Sequence, residues 1–262
     1  MLNLIDALSL GEKEIIALVG GGGKTTLMFA LAKELSIQGH RVITTTTTKI
    51  VEPSAQDTPQ LLLVGDRGNG LDLLDRQLEI NRHVTLASER LDSFKLKGLS
   101  PEFIKQIDLL NLAPYVIVEA DGAKQRPLKA PSDTEPVIPE NTTLVITVTG
   151  IDALGCRLNE ERVFRSDIAA RLLGVSLDSV VSIEAIAALI TSPQGIAKGS
   201  PPEARVIPFI NKMDLEKSML RGRSLAKSIL NFHHPKIERV ILGQARHSTP
   251  VLEVVQPLKQ CA

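Results

Sequence analysis

The 262 residues include no tryptophan, one tyrosine and six phenylalanines, so the chain lacks the aromatic platforms on which single-stranded bases stack. Neither sign of charge is in excess: 30 Lys and Arg stand against 30 Asp and Glu, a formal net charge of zero. No global field draws such a chain to nucleic acid or to an anionic membrane, and no nucleic-acid partner is expected. Cysteine is scarce. Cys156 and Cys261 form no C-x-x-C pair and lie near no His at zinc-ligand spacing, a usage that suits a reducing compartment. The histidines, His40, His83, His233, His234 and His247, make no H-x-x-H or H-E-x-x-H array, so surface or capping roles are expected for them rather than a structural metal. No stretch reaches the roughly 18 uncharged apolar residues of a membrane span, and the first residues lack the basic-then-apolar pattern of a signal segment. A soluble, cytoplasmic protein without a membrane partner is the expectation.

What is present is a globular balance, 43% hydrophobic and 23% charged, arranged as short β-branched runs alternating with segments of helical period. That pattern builds βαβ units and a mainly parallel sheet. It predicts strands over 14–19, 41–46, 60–64, 83–87, 115–119, 144–149, 205–210 and 239–242. Helices are predicted over 25–37, 71–80, 101–110, 159–173, 183–191 and 215–231, the first stopped by Gly39. The segment 120–143 carries Pro127, Pro131, Pro136 and Pro139 and no clear period, as expected of a functional lid or covering flap. No flexible linker interrupts the chain, and 1–262 is read as one domain.

The most informative run is EIIALVGGGGKTTLMFALAKEL. A buried strand enters Gly20, Gly21, Gly22 and Gly23, followed by Lys24, Thr25 and Thr26 and then an apolar-faced helix. Glycines let backbone amides converge on phosphate oxygens, the helix adds its positive end, Lys24 offers a point charge to the β and γ phosphates, and Thr25 a hydroxyl to Mg²⁺. The full pattern G-x-x-x-x-G-K-[ST] asks for Gly where Leu18 stands, so the match is partial. A dinucleotide fingerprint fits worse, since it wants a small residue at Thr25 and an acid where Thr44 to Thr48 follow the second strand. The fold expected is therefore a P-loop NTPase-like three-layer α/β sandwich, with a mainly parallel sheet and helices on both faces.

Further along, PYVIVEADGAK delivers Glu119 and Asp121 at a strand's carboxyl end, where phosphate-loop proteins keep the acid that holds Mg²⁺ directly or through water. Either carboxylate suits the role. Read as E-x-x-G, Glu119 faces the metal and the Gly122 amide reports the γ-phosphate. Thr46 to Lys49 also lie at this edge, with Thr47 a candidate metal hydroxyl, while Thr44 and Thr45 suit a strand interior. After a later strand, FINKMDLEK sets Asn211, Lys212 and Asp214 in an N-K-x-D pattern. A carboxylate there accepts two guanine protons that adenine does not offer, and a lysine stem packs along the purine; this favours GTP over ATP. The alternative is Asp214 as the N-cap of a helix from Leu215. Gln244 and Ala245 are candidates for a backbone contact to the base. Lys124, Arg126 and Lys129 either complement an anion or form a solvated basic loop.

Together VGGGGKTT, TTTTTKI, EADGAKQRPLKAPSDTEPVIP and SPQGIAKGSPPEARVIPFINKMD resemble the selenium-dependent hydroxylase accessory proteins, the YqeC family, over nearly the whole chain. The resemblance implies a nucleotide-binding accessory protein for maturing molybdenum hydroxylases, with the hydroxylase or its cofactor-synthesis proteins as partners. The E-x-x-G and N-K-x-D combination is also similar to GTPases that service metallocentres, although no Cys or His delivery motif accompanies it. Three activities follow as candidates: a Mg²⁺-dependent GTPase in which Lys24, Glu119 and Asp121 serve catalysis, a small-molecule phosphotransferase using the same loop, and a module that binds nucleotide without turnover.

Overall fold

The computed structural model describes residues 2–65 and 70–257; Cys261 lies outside them. In chain order the elements are α1 (Leu4–Leu8), β1 (Glu14–Gly20), α2 (Lys24–Ile37), β2 (Val42–Thr46), β3 (Lys49–Val51), β4 (Leu61–Leu63), α3 (Gly70–Ile80), β5 (His83–Ala87), β6 (Glu89–Leu91), β7 (Lys95–Lys97), α4 (Pro101–Leu109) and β8 (Tyr115–Glu119). They continue as β9 (Leu128–Lys129), β10 (Leu144–Gly150), a 3₁₀ turn (Ile151–Ala153), β11 (Val163–Phe164), α5 (Ser166–Leu173), α6 (Ile183–Thr191), β12 (Arg205–Asn211), α7 (Ser218–Asn231), β13 (Val240–Gly243) and β14 (Val251–Val255).

Nine strands form one sheet in the order β14-β13-β12-β10-β1-β8-β2-β5-β4. Every neighbouring pair is parallel except β13 with β14. β1, β2, β5, β8 and β10 are buried at every position, which is why they read as runs of apolar and β-branched residues without alternation: helices cover both faces and leave no wet side to alternate toward. Ile16 and Leu18 of β1 pack with Tyr115 and Ile117 of β8 against the side chains of α1 and α2. Turned the other way, Ile15, Val116 and Val118 meet α3 and α4, while Ala17 and Val19 meet α5, α6 and α7. The molecule is thus a three-layer α/β sandwich. With β1 central and the chain stepping outward first to β2 and later to β10 and β12, the crevice of such a sheet opens at the carboxyl ends beside β1.

Two helices start later than their apolar period predicts. The expected helix over 159–173 begins at Ser166, because Val163 and Phe164 pair instead with Leu128 and Lys129. Arg165 then turns left-handed with φ +59°, and the Glu160 carboxylate accepts the Ser166 amide at 2.7 Å. Similarly, Lys217 adopts φ +58° and α7 begins at Ser218, so Asp214 is no helix N-cap. The three-stranded sheet β3-β7-β6 lies outside the expected strands because strands of three residues are too short to display a period, and the five-residue β14 is a further strand beyond them. Gly39 does terminate the first long helix, with φ +88°.

His83 on β5 is buried, its Nε2 2.9 Å from the Thr44 hydroxyl, which in turn lies 2.7 Å from that of Thr85. Burial pushes its pKa down to about 4, against about 6.5 in an unfolded chain. The fold binds the neutral ring, so its stability is complete above pH 6.5 and is lost as pH falls toward 4. The unfolded state then takes up the proton and the native state does not. Between pH 7 and pH 4.5 this group alone should remove about 2 to 3 kcal/mol. Urea melts of wild type and His83→Gln at the two pH values check it: the variant should lose correspondingly less stability, and equal losses would refute the assignment.

Candidate functional site

β1 does not stop where a phosphate-loop pattern would place its first glycine. Leu18 is paired on one side with Glu119 and on the other with Ile146, so a strand interior occupies that position and the loop proper is Gly21 to Gly23. Its amides are partly engaged by the protein itself. The Gly20 amide donates to Asp121 Oδ2 at 3.0 Å, Gly21 to the Val148 carbonyl at 2.9 Å, and Gly22 to the Arg126 carbonyl at 2.9 Å. Beyond them no side chain caps α2. The Lys24, Thr25 and Thr26 amides therefore form its uncapped first turn, the positive end of a helix of 14 residues.

Neighbouring strands bring the acids to this turn. Lys24, only 4% exposed, donates to the Gly20 carbonyl at 2.7 Å and sits 3.1 Å from Asp121 Oδ1 and 3.6 Å from Glu119 Oε1. The Thr25 hydroxyl donates to Glu119 Oε2 at 2.6 Å. Burial alone would lower the Lys24 pKa, but Asp121 and Glu119 outweigh it and raise the value, so the ammonium is charged. Burial raises that of Glu119, and Lys24 and Thr25 offset this only in part; such a carboxylate gains from a further cation.

Asp121 is 1% exposed and held from both sides, since its Oδ2 also meets the Lys129 ammonium at 3.0 Å. Lys129, fully buried, donates to the Gly122 carbonyl and to Glu135 Oε2, each at 2.7 Å. Glu135 is paired in turn with Arg165; burial alone would raise its pKa, but the bonds from Arg165 and Lys129 hold it below the usual carboxylate range. The basic residues of the long loop therefore divide. Lys129 is a core cation, Lys124 is exposed with its ammonium 4.9 Å from the Phe164 ring, and Arg126 donates to the Glu160 and Lys124 carbonyls. Nor is 120–143 a free lid: Val137 bonds back to the Ala120 carbonyl, and Leu128 and Lys129 pair with β11. Glu135 stands within the run EADGAKQRPLKAPSDTEPVIP without a role legible from the sequence, Arg165 lies outside every motif, and nothing in their spacing points to this chain of charges.

The third segment lies at the ends of β12 and β13. The Asn211 amide donates to the Gly22 carbonyl at 2.8 Å, and its oxygen accepts the Ala245 amide at 2.9 Å. Asn211 is thus a brace between the glycine loop and the β13 end, and it takes up the Ala245 amide that was expected to meet a base; the Gln244 amide goes to Pro250. Lys212, left-handed at φ +67°, pairs with Asp152 at 2.8 Å. Asp214 is exposed, 3.6 Å from His247 Nε2.

Thr44 and Thr45 are buried strand residues, Thr45 bonding the Leu86 carbonyl. Thr46 donates to the Glu119 carbonyl at 2.7 Å, Thr47 to Val137 at 2.8 Å, and Lys49 begins β3. Among the described residues no group of three or more His, Cys, Asp or Glu is arranged to hold a metal. No helix among them is long and apolar enough to cross a membrane.

Crystal structures of FtsY from Mycoplasma mycoides overlap this chain with TM-scores of 0.33 and 0.32, at 11% and 13% identity. Each overlap covers 94% of this chain, and 67% and 66% of those chains respectively; it is too loose to carry a ligand across. The sequence comparisons are closer. YqeC of Escherichia coli (strain K12) is 34% identical over 198 residues, which is 76% of this chain and 75% of that protein. The YqeC protein family model matches residues 16–167, from the glycine-loop strand through the acidic strand end and the Lys129 and Glu135 segment to the start of α5. The chain belongs to the YqeC family.

Proposed function

We propose that the chain is a single nucleotide-binding domain that takes a Mg²⁺-bound nucleoside triphosphate, GTP, at the mouth of the Gly21 to Gly23 loop. One observation carries the reading: Lys24 and Thr25 open an uncapped helix directly after a glycine loop and meet Glu119 and Asp121 from the adjacent strand. Amides of the first turn and the Lys24 ammonium suit phosphate oxygens. The residues present fit Mg²⁺, for Thr25 and Glu119 join two hard oxygens at 2.6 Å, one on a buried carboxylate. This small protein share suits an ion that keeps waters and phosphate oxygens for its other positions. Bound there, Mg²⁺ would offset the charge that develops on the phosphates.

The two acids then differ in duty. Glu119, on the Thr25 hydroxyl, is the metal-facing group; Asp121, enclosed by Gly20, Lys24 and Lys129, anchors the loop. Lys24 neutralises phosphate charge and Gly122 approaches the terminal phosphate. Lys212 and Asp214 border the base and Asn211 fixes the loop against it. The resemblance of the motif runs to the hydroxylase accessory proteins supports the further reading of a role beside selenium-dependent molybdenum hydroxylases, with GTP hydrolysis coupled to cofactor insertion or to release of the client.

Base choice tests the GTP assignment. Asp214 is exposed in the free protein and would be partly covered by a bound base, so a charge-assisted pair of guanine bonds is worth about 1.5 to 3 kcal/mol there, roughly 10- to 100-fold in affinity. Asp214→Asn should weaken GTP by that factor and improve xanthosine triphosphate, which presents an acceptor at the same edge, with phosphate contacts unaltered. Competition binding of GTP, ATP and XTP to both proteins decides it. Equal wild-type affinity for ATP and GTP, unchanged in the variant, would remove the guanine reading. GTP turnover with and without a candidate hydroxylase tests the coupling.

A further inference from the structure

The chain of charges behind the glycine loop has six members that alternate in sign, Glu119, Lys24, Asp121, Lys129, Glu135 and Arg165, three anions and three cations. Such a chain is balanced only while each ion keeps its neighbours. Lys24 cannot serve phosphate without yielding part of its hold on Asp121, and a carboxylate that is 1% exposed has no water to turn to. What remains to Asp121 at that moment is the Gly20 amide and the Lys129 ammonium, both on Oδ2 at 3.0 Å. Lys129 itself is fully buried and bound to the Gly122 carbonyl, so it is fixed in place and does not swing toward a ligand.

We infer that Lys129 is a positioning residue of the phosphate site: as a permanent counter-ion to Asp121, it frees the Lys24 ammonium for the nucleotide. This role rests on the nucleotide reading above. Without Lys129, the Asp121 charge is compensated by Lys24 alone, holds it more tightly, and repels incoming phosphate; both effects weaken binding at a site Lys129 does not touch. Arg165 acts one step further out. Its loss leaves Glu135 leaning wholly on Lys129, which draws that ammonium away from Asp121.

The experiment is a set of double-mutant cycles read as Mg²⁺–GTP affinity by calorimetry, with thermal melts run alongside. Lys129→Met should bind about 10-fold or more weakly, and Lys129→Arg, which keeps the charge, within about 3-fold of wild type. In an Asp121→Asn background the Lys129→Met penalty should vanish, because the anion that Lys24 and Lys129 share is gone while Glu135 keeps its pair with Arg165. A general packing defect would instead persist there unchanged. Should Lys129→Met not fold, the partly exposed Arg165→Gln carries the same cycle: about 3-fold weaker alone, and without effect on Asp121→Asn. Wild-type affinity in a folded Lys129→Met protein, or penalties that simply add to that of Asp121→Asn, would overturn the role while leaving nucleotide binding standing. Failure of the wild type to bind any nucleotide would remove both.

Discussion

Lys24→Ala should abolish nucleotide binding and, in the same protein, lower the melting temperature by about 10 °C. The second effect arises because Lys24 lies between two carboxylates that are 6% and 1% exposed, Glu119 and Asp121. Removing one partner of a buried ion pair leaves uncompensated charge, a loss of about 3 to 5 kcal/mol, and a chain of this size melts roughly 2 to 4 °C lower per kcal/mol. From the sequence, Lys24 reads as a ligand group whose removal spares the fold; the burial of its partners corrects that. Adding Asp121→Asn to Lys24→Ala should recover much of the melting temperature and none of the nucleotide affinity. Calorimetric melts and nucleotide titrations of the two variants check this separation. A Lys24→Ala protein that melts like wild type would mean that the acids are not held by this ammonium in solution.

Two glycines at the same site should respond in opposite ways to a single methyl group. Gly22 has φ +82°, and a Cβ there would stand 2.2 Å from the Gly150 nitrogen and 2.9 Å from the Pro127 carbonyl oxygen. Both are backbone atoms, themselves joined by a hydrogen bond of 2.9 Å, so neither can step aside. Gly22→Ala should therefore cost about 4 kcal/mol or more, the sum of left-handed strain and overlap. At Gly122 a Cβ meets no atom within 4 Å and φ is not positive. Gly122→Ala should melt within about 0.5 kcal/mol of wild type. Because the proposed terminal phosphate shares that open space, this variant should lose affinity for GTP but not for GDP. Melting curves with GTP and GDP titrations distinguish the two. Wild-type melting of Gly22→Ala would refute the close junction of the glycine loop with β10, and undiminished GTP affinity of Gly122→Ala would take Gly122 out of the phosphate site.

The sequence by itself determined the frame. Parallel strands covered on both faces are predominantly apolar and β-branched, so all eight strands of the parallel part of the large sheet stand out as runs without alternation, with a glycine loop, an acidic strand end and N-K-x-D each at a strand's carboxyl edge. Those three segments meet because parallel strands all present the same end to one crevice. Tertiary structure alone decided how their atoms are shared. Leu18 could be seen to depart from the phosphate-loop pattern, but only its pairing with Glu119 and Ile146 shows that β1 runs through it and leaves a three-residue loop. Asn211 reads from the sequence only as the first member of N-K-x-D, and in the fold it braces Gly22 against Ala245, residues 189 and 34 positions away in sequence. Lys129 reads either as a partner for an anion or as one base of a solvated loop, yet it is buried against Asp121 and Glu135 because β9 pairs with β11, two-residue strands with no detectable period. Local pattern reports which face of an element is buried; it carries no record of which ion, arriving from a distant turn, will compensate a charge inside. That choice is made by packing, since in the interior a carboxylate must find its counter-ion within a few ångströms or not be there at all.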